Sequence, residues 1–349
     1  MRCERCGRDY DPACPVHGVD DAERATLPPV DATPLAGVTL ADRYVIRGVL
    51  GRGAMGTVYL ASDARGDDPW VAVKMLDDDR SEDERARLRA EAVVGARVRH
   101  PHVLRYLDAG ETAGGAPFVV VELLVGESLG ERLRRVGTLP REVALPLFRQ
   151  VASALAAAHA AGVVHRDVKP DNLFLVGPPG APVDVRVVDF GLAKLDGSTD
   201  DLAAGIVAGT CDFMAPEQAL SDPVDARTDV YALGLTMFAA LTGRRPFSSP
   251  DQVTTMARQI VEHAPRASSI TPDLDGFDAV LQAALRKVPG HRYRSMRALA
   301  DDLARLERGG RLSGAHLLGA LGDVYVPRTQ TGKIAAAYFY TRLGLSPPF

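Results

Sequence analysis

The sequence predicts an α+β fold of two lobes, a small antiparallel β lobe with one helix followed by a larger, mainly helical lobe. Three observations predict it. Short runs rich in β-branched and aromatic residues, punctuated by Gly or Asp-Pro, fill the first part, residues 44–75. From residue 140 onward the apolar residues recur at helical spacing. Between them lies a polar string, residues 165–172, flanked by short apolar runs, where the chemistry is expected. With 349 residues, 46% of them apolar, the chain suits one large domain of two lobes or two small domains, plus extensions.

Taken in order, residues 1–20 are rich in Cys, and residues 21–41, rich in Asp, Pro, Ala and Thr, read as a flexible linker. Tyr44–Leu50, Thr57–Ser62 and Trp70–Met75 read as three antiparallel strands. Ser81–Val98 is charged with apolar residues at helical spacing; Ser81 is placed to cap it, with Glu84 three residues on. Phe118–Leu124 is an apolar run of strand length. Pro140–Ala161 is an Ala/Leu-rich helix, and Val163–Val164 and Leu173–Val176 are short strands around the polar loop. Ala226–Leu241, Phe277–Ala284 and Met296–Arg308 read as further helices. The last stretch, residues 309–349, carries Gly and Pro and is expected to be loosely ordered with one short helix at Lys333–Arg342.

Bulk charge excludes little: a formal net charge of −4 with 25% charged residues speaks against a basic nucleic-acid binder and against an acidic disordered tail. Of the four cysteines, three fall in the first fourteen residues and Cys211 stands alone, a poor disulfide framework, so a reducing, cytoplasmic location is expected. No apolar run follows Met1-Arg2-Cys3-Glu4, so no signal peptide is read there, and the longest apolar stretches are too short or too broken for a membrane span.

Function is read from motifs. Gly51-Arg52-Gly53-Ala54-Met55-Gly56-Thr57-Val58 lies between two predicted strands, where missing side chains let backbone N–H groups approach phosphate oxygens. A dinucleotide fold needs a helix after such glycines, and Val58-Tyr59-Leu60 reads as strand; a hairpin without ligand is the plainer alternative. Val71-Ala72-Val73-Lys74 ends an apolar strand on a Lys. An isolated Lys there belongs in solvent, but Glu91 on the following helix supplies a counter-charge that aims it at phosphates. His165-Arg166-Asp167-Val168-Lys169-Pro170-Asp171-Asn172 concentrates ionisable side chains in a loop, with Asp167 and Asn172 spaced so that one meets a substrate hydroxyl and the other offers an amide oxygen to Mg²⁺. Asp189-Phe190-Gly191 puts an Asp at the end of a strand, as a hard-cation ligand or a turn residue. Each motif alone is weak; four in this order and context are specific.

These residues resemble the eukaryotic-like serine/threonine protein kinases of bacteria, over roughly Asp42 to Arg308. The resemblance implies a two-lobed protein kinase domain over 42–308 (lobes 42–122 and 126–308), ATP and Mg²⁺ (or Mn²⁺) as cofactors, and proteins bearing Ser or Thr as substrates. By resemblance Gly51, Arg52, Gly53, Ala54, Met55, Gly56 and Thr57 cover the phosphates, and Leu50, Val58 and Ala72 flank the adenine. Lys74 meets the phosphates with Glu91 as its partner; Val121 takes the gatekeeper place, and Glu122 to Leu124 the adenine-binding hinge. Glu127 meets the ribose and Phe174 packs under adenine. Asp167 corresponds to the catalytic base, Lys169 to the residue that steadies the γ-phosphate, and Asn172 and Asp189 to the Mg²⁺ ligands. Ala215-Pro216-Glu217 ends the activation segment, Arg292 pairs with that Glu, and Asp229 holds the catalytic loop. Lys169 and Thr210 indicate Ser/Thr acceptors. Arg166 before Asp167 implies control by phosphorylation of the segment, with Ser198 or Thr199 as the expected autophosphorylation site and a transient homodimer as the route. Because every core catalytic position is filled, an active enzyme is expected rather than a nucleotide-binding pseudokinase or scaffold.

At the N-terminus, Cys3-x-x-Cys6 and Cys14-x-x-His17 form the soft ligand set of a closed, structural Zn²⁺ site, resembling a short zinc-ribbon head; the alternative is a disordered reducible tail. No nucleic-acid partner is expected for it. The role of residues 309–349 is not legible, and they are expected either to dock on the lower lobe or to stay mobile.

Overall fold

The computed structural model describes residues 27–53, 56–65, 69–77, 80–178, 183–190, 194–195, 211–310 and 323–348. The chain divides into two compact units, one of Met1–Arg99, Leu104–Gly126 and Gly177–Pro179, the other of His100–Val103, Glu127–Val176 and Gly180–Phe349.

The first unit is built on an antiparallel sheet. Its strands are β1 (Thr39–Leu40), β2 (Tyr44–Gly53), β3 (Gly56–Asp63), β4 (Trp70–Met75), β5 (Tyr106–Glu111) and β6 (Pro117–Glu122), in the order β1-β2-β3-β4-β6-β5. Alternation of buried and less buried positions along β2 puts Tyr44, Ile46 and Val49 into a core with Tyr59, Val71, Val73, Phe118 and Val120. Helix α1 (Glu82–Gly95) packs on β5 and β6. Its start is fixed as the sequence anticipates: the Ser81 side chain accepts from Glu84 N and the Glu84 carboxylate accepts from Ser81 N, a capping box. Strand β5 escaped sequence reading because four of its six residues, including Asp108 and Ala109, are not β formers. Within the expected flexible linker, residues 27–41 correct that expectation. They run along the sheet, with Asp31 and Val49 exchanging both backbone hydrogen bonds at 2.8 and 2.9 Å and β1 pairing with β2. Gly48 makes this possible, since a Cβ there would lie 2.6 Å from Val30 Cγ2.

The second unit is mainly helical. Its long helix α3 (Arg141–Ala160) follows α2 (Leu129–Val136) and packs on two later helices, α5 (Ala226–Thr242) and α8 (Met296–Glu307). By length and composition α3 is apolar enough to cross a membrane, but Leu147, Phe148, Val151, Ala154 and Leu155 on it are fully buried inside the unit, as a core helix requires. Strands β7 (Gly126–Ser128), β9 (Leu173–Val176) and β10 (Val185–Val187) make a small sheet, and β8 (Val163–Val164) pairs with β11 (Lys194–Leu195). Further helices are α4 (Pro216–Ala219), α6 (Gln252–Val261), α7 (Asp275–Ala284) and α9 (Gln330–Arg342). Sequence reading passed over α2 and α6, which run for only 8 and 10 residues. Over 323–348 the tail contains the expected short helix, as α9, and of the two alternatives takes docking, folding against the unit through Tyr325, Ala336, Phe339 and Tyr340.

Candidate active site

In the first unit the glycine-rich stretch joins β2 to β3, a strand–turn–strand unit and not the strand–turn–helix of a dinucleotide site. Gly51 faces open space at its missing Cβ, so the backbone there is accessible to a phosphate. Gly56 is obligatory for another reason: its φ is +115°, and a Cβ would lie 2.2 Å from Met75 O. Thr57 is buried, its hydroxyl 3.3 Å from Asp77 Oδ1. Ala54 and Met55 lie outside the described residues. Register carries the argument onward: Val58 faces Lys74 across β3–β4, and Ala72 faces Val121 across β4–β6. Leu50 and Val58 are half-buried, whereas Ala72 and Val121 are buried. Lys74 Nζ is 2.8 Å from Glu91 Oε2, and Tyr106 OH donates to Glu91 Oε1 at 3.2 Å, so the helix carboxylate is fixed from two directions. Glu122 is bonded back onto Arg105, its carboxylate accepting Arg105 N at 2.8 Å. Leu124 is half-buried.

In the second unit the polar string is pinned by one carboxylate. Asp229, fully buried near the start of α5, accepts His165 N at 2.9 Å, Arg166 N at 2.8 Å and His159 Nε2 at 2.7 Å. Burial opposes its charge, but the His159 hydrogen bond, the nearby His165 and the Arg166 amide outweigh that and hold the carboxyl below the usual range. The clamp supports strained backbone: Arg166 has φ +68° and Asp189 φ +62°, a conformation costing about 1–3 kcal/mol for a residue with a side chain. His165 links the two stretches. Its Nδ1 accepts Asp167 N at 3.3 Å, so Nε2 carries the hydrogen given to Val188 O at 3.1 Å, and its ring packs on Phe190 with centroids 4.7 Å apart.

On this frame the predicted residues converge. Asp167, 7% exposed, receives Lys169 Nζ at 2.7 Å and Asn172 Nδ2 at 3.0 Å, both on Oδ2. Among the described residues no donor is bonded to Oδ1, so one carboxylate oxygen is held and its twin can accept a hydroxyl proton. Asn172 Nδ2 also donates to Asp167 O at 2.8 Å. With both amide hydrogens on acceptors, the side-chain assignment is fixed and the amide oxygen turns to the opposite side. Val188 N donates to Asn172 O at 3.0 Å, which brings the end of β10, and Asp189 one residue later, beside that amide. A carboxylate and an amide oxygen on neighbouring backbone are hard donors and fit Mg²⁺.

Some predicted residues stand otherwise. Glu127 is ion-paired with Arg132 Nε and, at 2.5 Å, with Arg135 Nη2. Burial opposes its charge, yet these guanidinium hydrogen bonds prevail and lower its pKa, so Glu127 is engaged by its own unit, whatever it does for a ribose. Phe174 is half-buried on β9. Gly191, Ser198, Thr199 and Thr210 lie outside the described residues, as do Cys3, Cys6, Cys14 and His17; among the described residues no His/Cys/Asp/Glu cluster suited to a metal occurs. Three contributors were missed from sequence. His159 ends α3 and looks there like a helix-terminus His; Gln218 donates to Arg166 O at 2.8 Å; Tyr106 holds Glu91. Each acts through a fold contact that local pattern does not encode. Cys211 is buried, with burial first among the causes raising its thiol pKa, which makes it inert.

Comparison with known proteins agrees with the geometry. The family model described as protein kinase domain matches residues 44–319. Serine/threonine-protein kinase PknA of Mycobacterium tuberculosis is 37% identical over 314 residues, 87% of this chain and 71% of its own length. Serine/threonine-protein kinase PknL of the same species is 35% identical over 276 residues, covering 77% and 67%. Serine/threonine-protein kinase pkn3 of Myxococcus xanthus is 34% identical over 287 residues, 80% of this chain but 52% of that protein.

Proposed function

Because the chain belongs to the protein kinase family and is a serine/threonine-protein kinase, we propose which of its residues carry the transfer from ATP to protein Ser and Thr hydroxyls. The family uses ATP and Mg²⁺, and Mg²⁺ when bound neutralises charge on the β- and γ-phosphates. Asn172 and Asp189 would hold it, since their oxygens are the hard donors on adjoining backbone. Gly51, Gly53 and Gly56 offer backbone N–H groups to the phosphates, and Lys74, steadied by Glu91, adds a positive charge. Leu50, Val58, Ala72 and Val121 supply apolar surface for the adenine ring, with Glu122 to Leu124 as the hydrogen-bonding hinge. Asp167 orients the acceptor hydroxyl through Oδ1 and takes its proton, while Lys169 offsets charge on the group in transit.

The observation that carries this reading is the Asp167 carboxylate with Lys169 and Asn172 on one oxygen. The test is transfer of labelled phosphate to a generic basic protein by wild type and Asp167→Asn. Loss of a positioned base costs about 10²- to 10⁴-fold. Equal rates would remove Asp167 from the reaction.

Control by autophosphorylation at Ser198 or Thr199, in trans within a transient dimer, fits Arg166 preceding Asp167. Mass spectrometry after incubation with ATP and Mg²⁺ tests it; no phosphate between Asp189 and Glu217 rules it out. A structural Zn²⁺ on Cys3, Cys6, Cys14 and His17 rests on the donor set alone; metal analysis of wild type and Cys3→Ser decides it. A cytoplasmic location rests on the cysteine pattern, and recovery of the native protein with membranes would overturn it.

A further inference from the structure

The kinase motifs absorb everything up to Arg292, but leave residues 323–348 without a role. This stretch is bound by two buried carboxylates of the second unit. Asp222, just after α4, accepts Tyr325 OH at 2.8 Å, Arg328 N at 2.8 Å, Thr329 N at 3.0 Å and Thr329 Oγ1 at 2.7 Å. Asp323, itself in the stretch, accepts Lys287 N at 2.9 Å and Val288 N at 3.1 Å. Both Asp222 and Asp323 are about as buried as core residues, 5% and 3% exposed. Four donors from the tail on one buried carboxylate exceed what a casual contact needs.

The same stretch reaches the other end of the segment that precedes α4. Helix α9 packs on α6, with Phe339 and Tyr340 in one apolar cluster with Met256, Ile260, Leu220 and Cys211. From α6, Gln259 Nε2 donates to Asp212 O at 2.8 Å and to Cys211 O at 3.4 Å. Residues 211 to 222 are thus held at one end by an α6 side chain whose helix the tail covers, and at the other by Asp222. Ser221, between α4 and Asp222, has φ +53°, a strained state that persists only where surroundings over-determine it.

We infer that residues 323–348 are a positioning element of the kinase, which fixes the stretch Cys211–Asp222 and so governs affinity for the protein substrate but not for ATP. The inference rests on the kinase reading, since that reading makes Ala215-Pro216-Glu217 the end of the activation segment and Asp167 the group that orients the acceptor, and Gln218 of this stretch donates to Arg166 O, next to Asp167, at 2.8 Å. The tail acts through Asp222 and Gln259 and touches no reacting atom.

Two full-length variants test it. In Tyr325→Phe/Thr329→Val, two of the four donors to Asp222 remain, the Arg328 and Thr329 amides, because both hydroxyls are gone. In Gly332→Ala, the new Cβ would sit 2.8 Å from Asp222 Oδ1, although Ala is the better helix former, so helix propensity and the Asp222 contact pull in opposite directions. Each variant is expected to raise KM for a Ser/Thr peptide about fivefold, the scale of one hydrogen bond coupled to binding, with KM for ATP unchanged. Amide hydrogen exchange, read on the same proteins without substrate, is expected to speed up across 211–222 as well as in the tail. Faster exchange confined to 323–348, with both KM values unchanged, would make the tail a passive appendage and overturn the inference. If wild type transfers no phosphate to protein at all, the kinase reading fails, and the exchange pattern still decides whether the tail positions 211–222.

Discussion

Two ion pairs, one in each unit, use the same elementary attraction to opposite ends. Arg292 and Glu217 are dry, with side chains 0% and 1% exposed. Every guanidinium hydrogen has an acceptor: Glu217 takes Nη1 at 2.6 Å and Nη2 at 2.7 Å, and the carbonyls of Arg227, Lys287 and Arg286 take the rest at 2.9, 2.9 and 2.7 Å. Thr228 Oγ1 adds a donor to Glu217 at 2.8 Å. Lys74 and Glu91 meet at one distance of 2.8 Å, and the Lys side chain keeps 18% exposure. A planar, saturated, buried pair locks chain segments together; an ammonium on a flexible stem at a solvent-reached edge can turn from its carboxylate to a phosphate. The difference separates residues that hold the fold from residues that handle charge in the reaction.

The largest test breaks the saturated pair. Arg292→Ala leaves Glu217 charged, buried and facing only the Thr228 hydroxyl among its former partners, which costs about 3–5 kcal/mol. Thermal melting should show a large fall in Tm; a shift of only a few degrees would mean that the pair is not the lock described. Lys74→Met is the counterpart. Removal of one charge that stabilises the transferring group lowers the rate about 10²- to 10³-fold, while melting falls less than for Arg292→Ala, because Lys74 is 18% exposed and the buried Glu91 keeps the Tyr106 hydroxyl. A comparable loss of stability in Lys74→Met would erase the distinction between the two pairs.

Asp229 sharpens the contrast by pH. Its folded-state pKa lies below the ordinary carboxyl value of 3.8, with burial opposed by His159, His165 and the Arg166 amide. The unfolded state therefore binds more protons in acid, so the stability from this clamp is complete above about pH 4 and is lost as pH falls through the folded value. Asp229→Asn is expected to melt lower at neutral pH and to show a shallower decline between pH 5 and 3. An unchanged acid slope would show that other carboxylates carry it.

Legibility in the sequence followed the range of the interaction. The capping box at Ser81, the strands β3 and β4, and the order of Lys74, Asp167, Asn172 and Asp189 are local patterns whose spacing the chain displays directly. The linker misled because its Pro and Asp read as punctuation, whereas the Asp31 backbone pairs with Val49; in the tail the helix was legible but its anchorage was not, because Asp222 and Asp323 accept backbone donors 106 and 36 residues away. His159 and Gln218 escaped for the same reason: their partners, Asp229 and Arg166, lie 70 and 52 residues away. What a side chain meets across such separations is decided by packing, and no short window contains it.

The smallest effect lies at the root of the charge-handling pair. Glu91 sits on α1, and α1 begins with Ser81, whose hydroxyl accepts Glu84 N at 3.3 Å while Glu84 Oε2 accepts Ser81 N at 2.9 Å. Ser81→Ala removes half of this box and costs about 1 kcal/mol of helix stability. Glu91 lies ten residues from the cap, beyond the turn that the cap secures, and Tyr106 holds its carboxylate independently. Amide exchange should therefore quicken at the first turn of α1 and stay unchanged near Glu91, with the transfer rate reduced less than twofold if fraying stays within that turn. A fall approaching that of Lys74→Met would instead mean that the whole helix shifts as one piece, and that the pair owes its geometry to the cap rather than to the packing of α1 on β5 and β6.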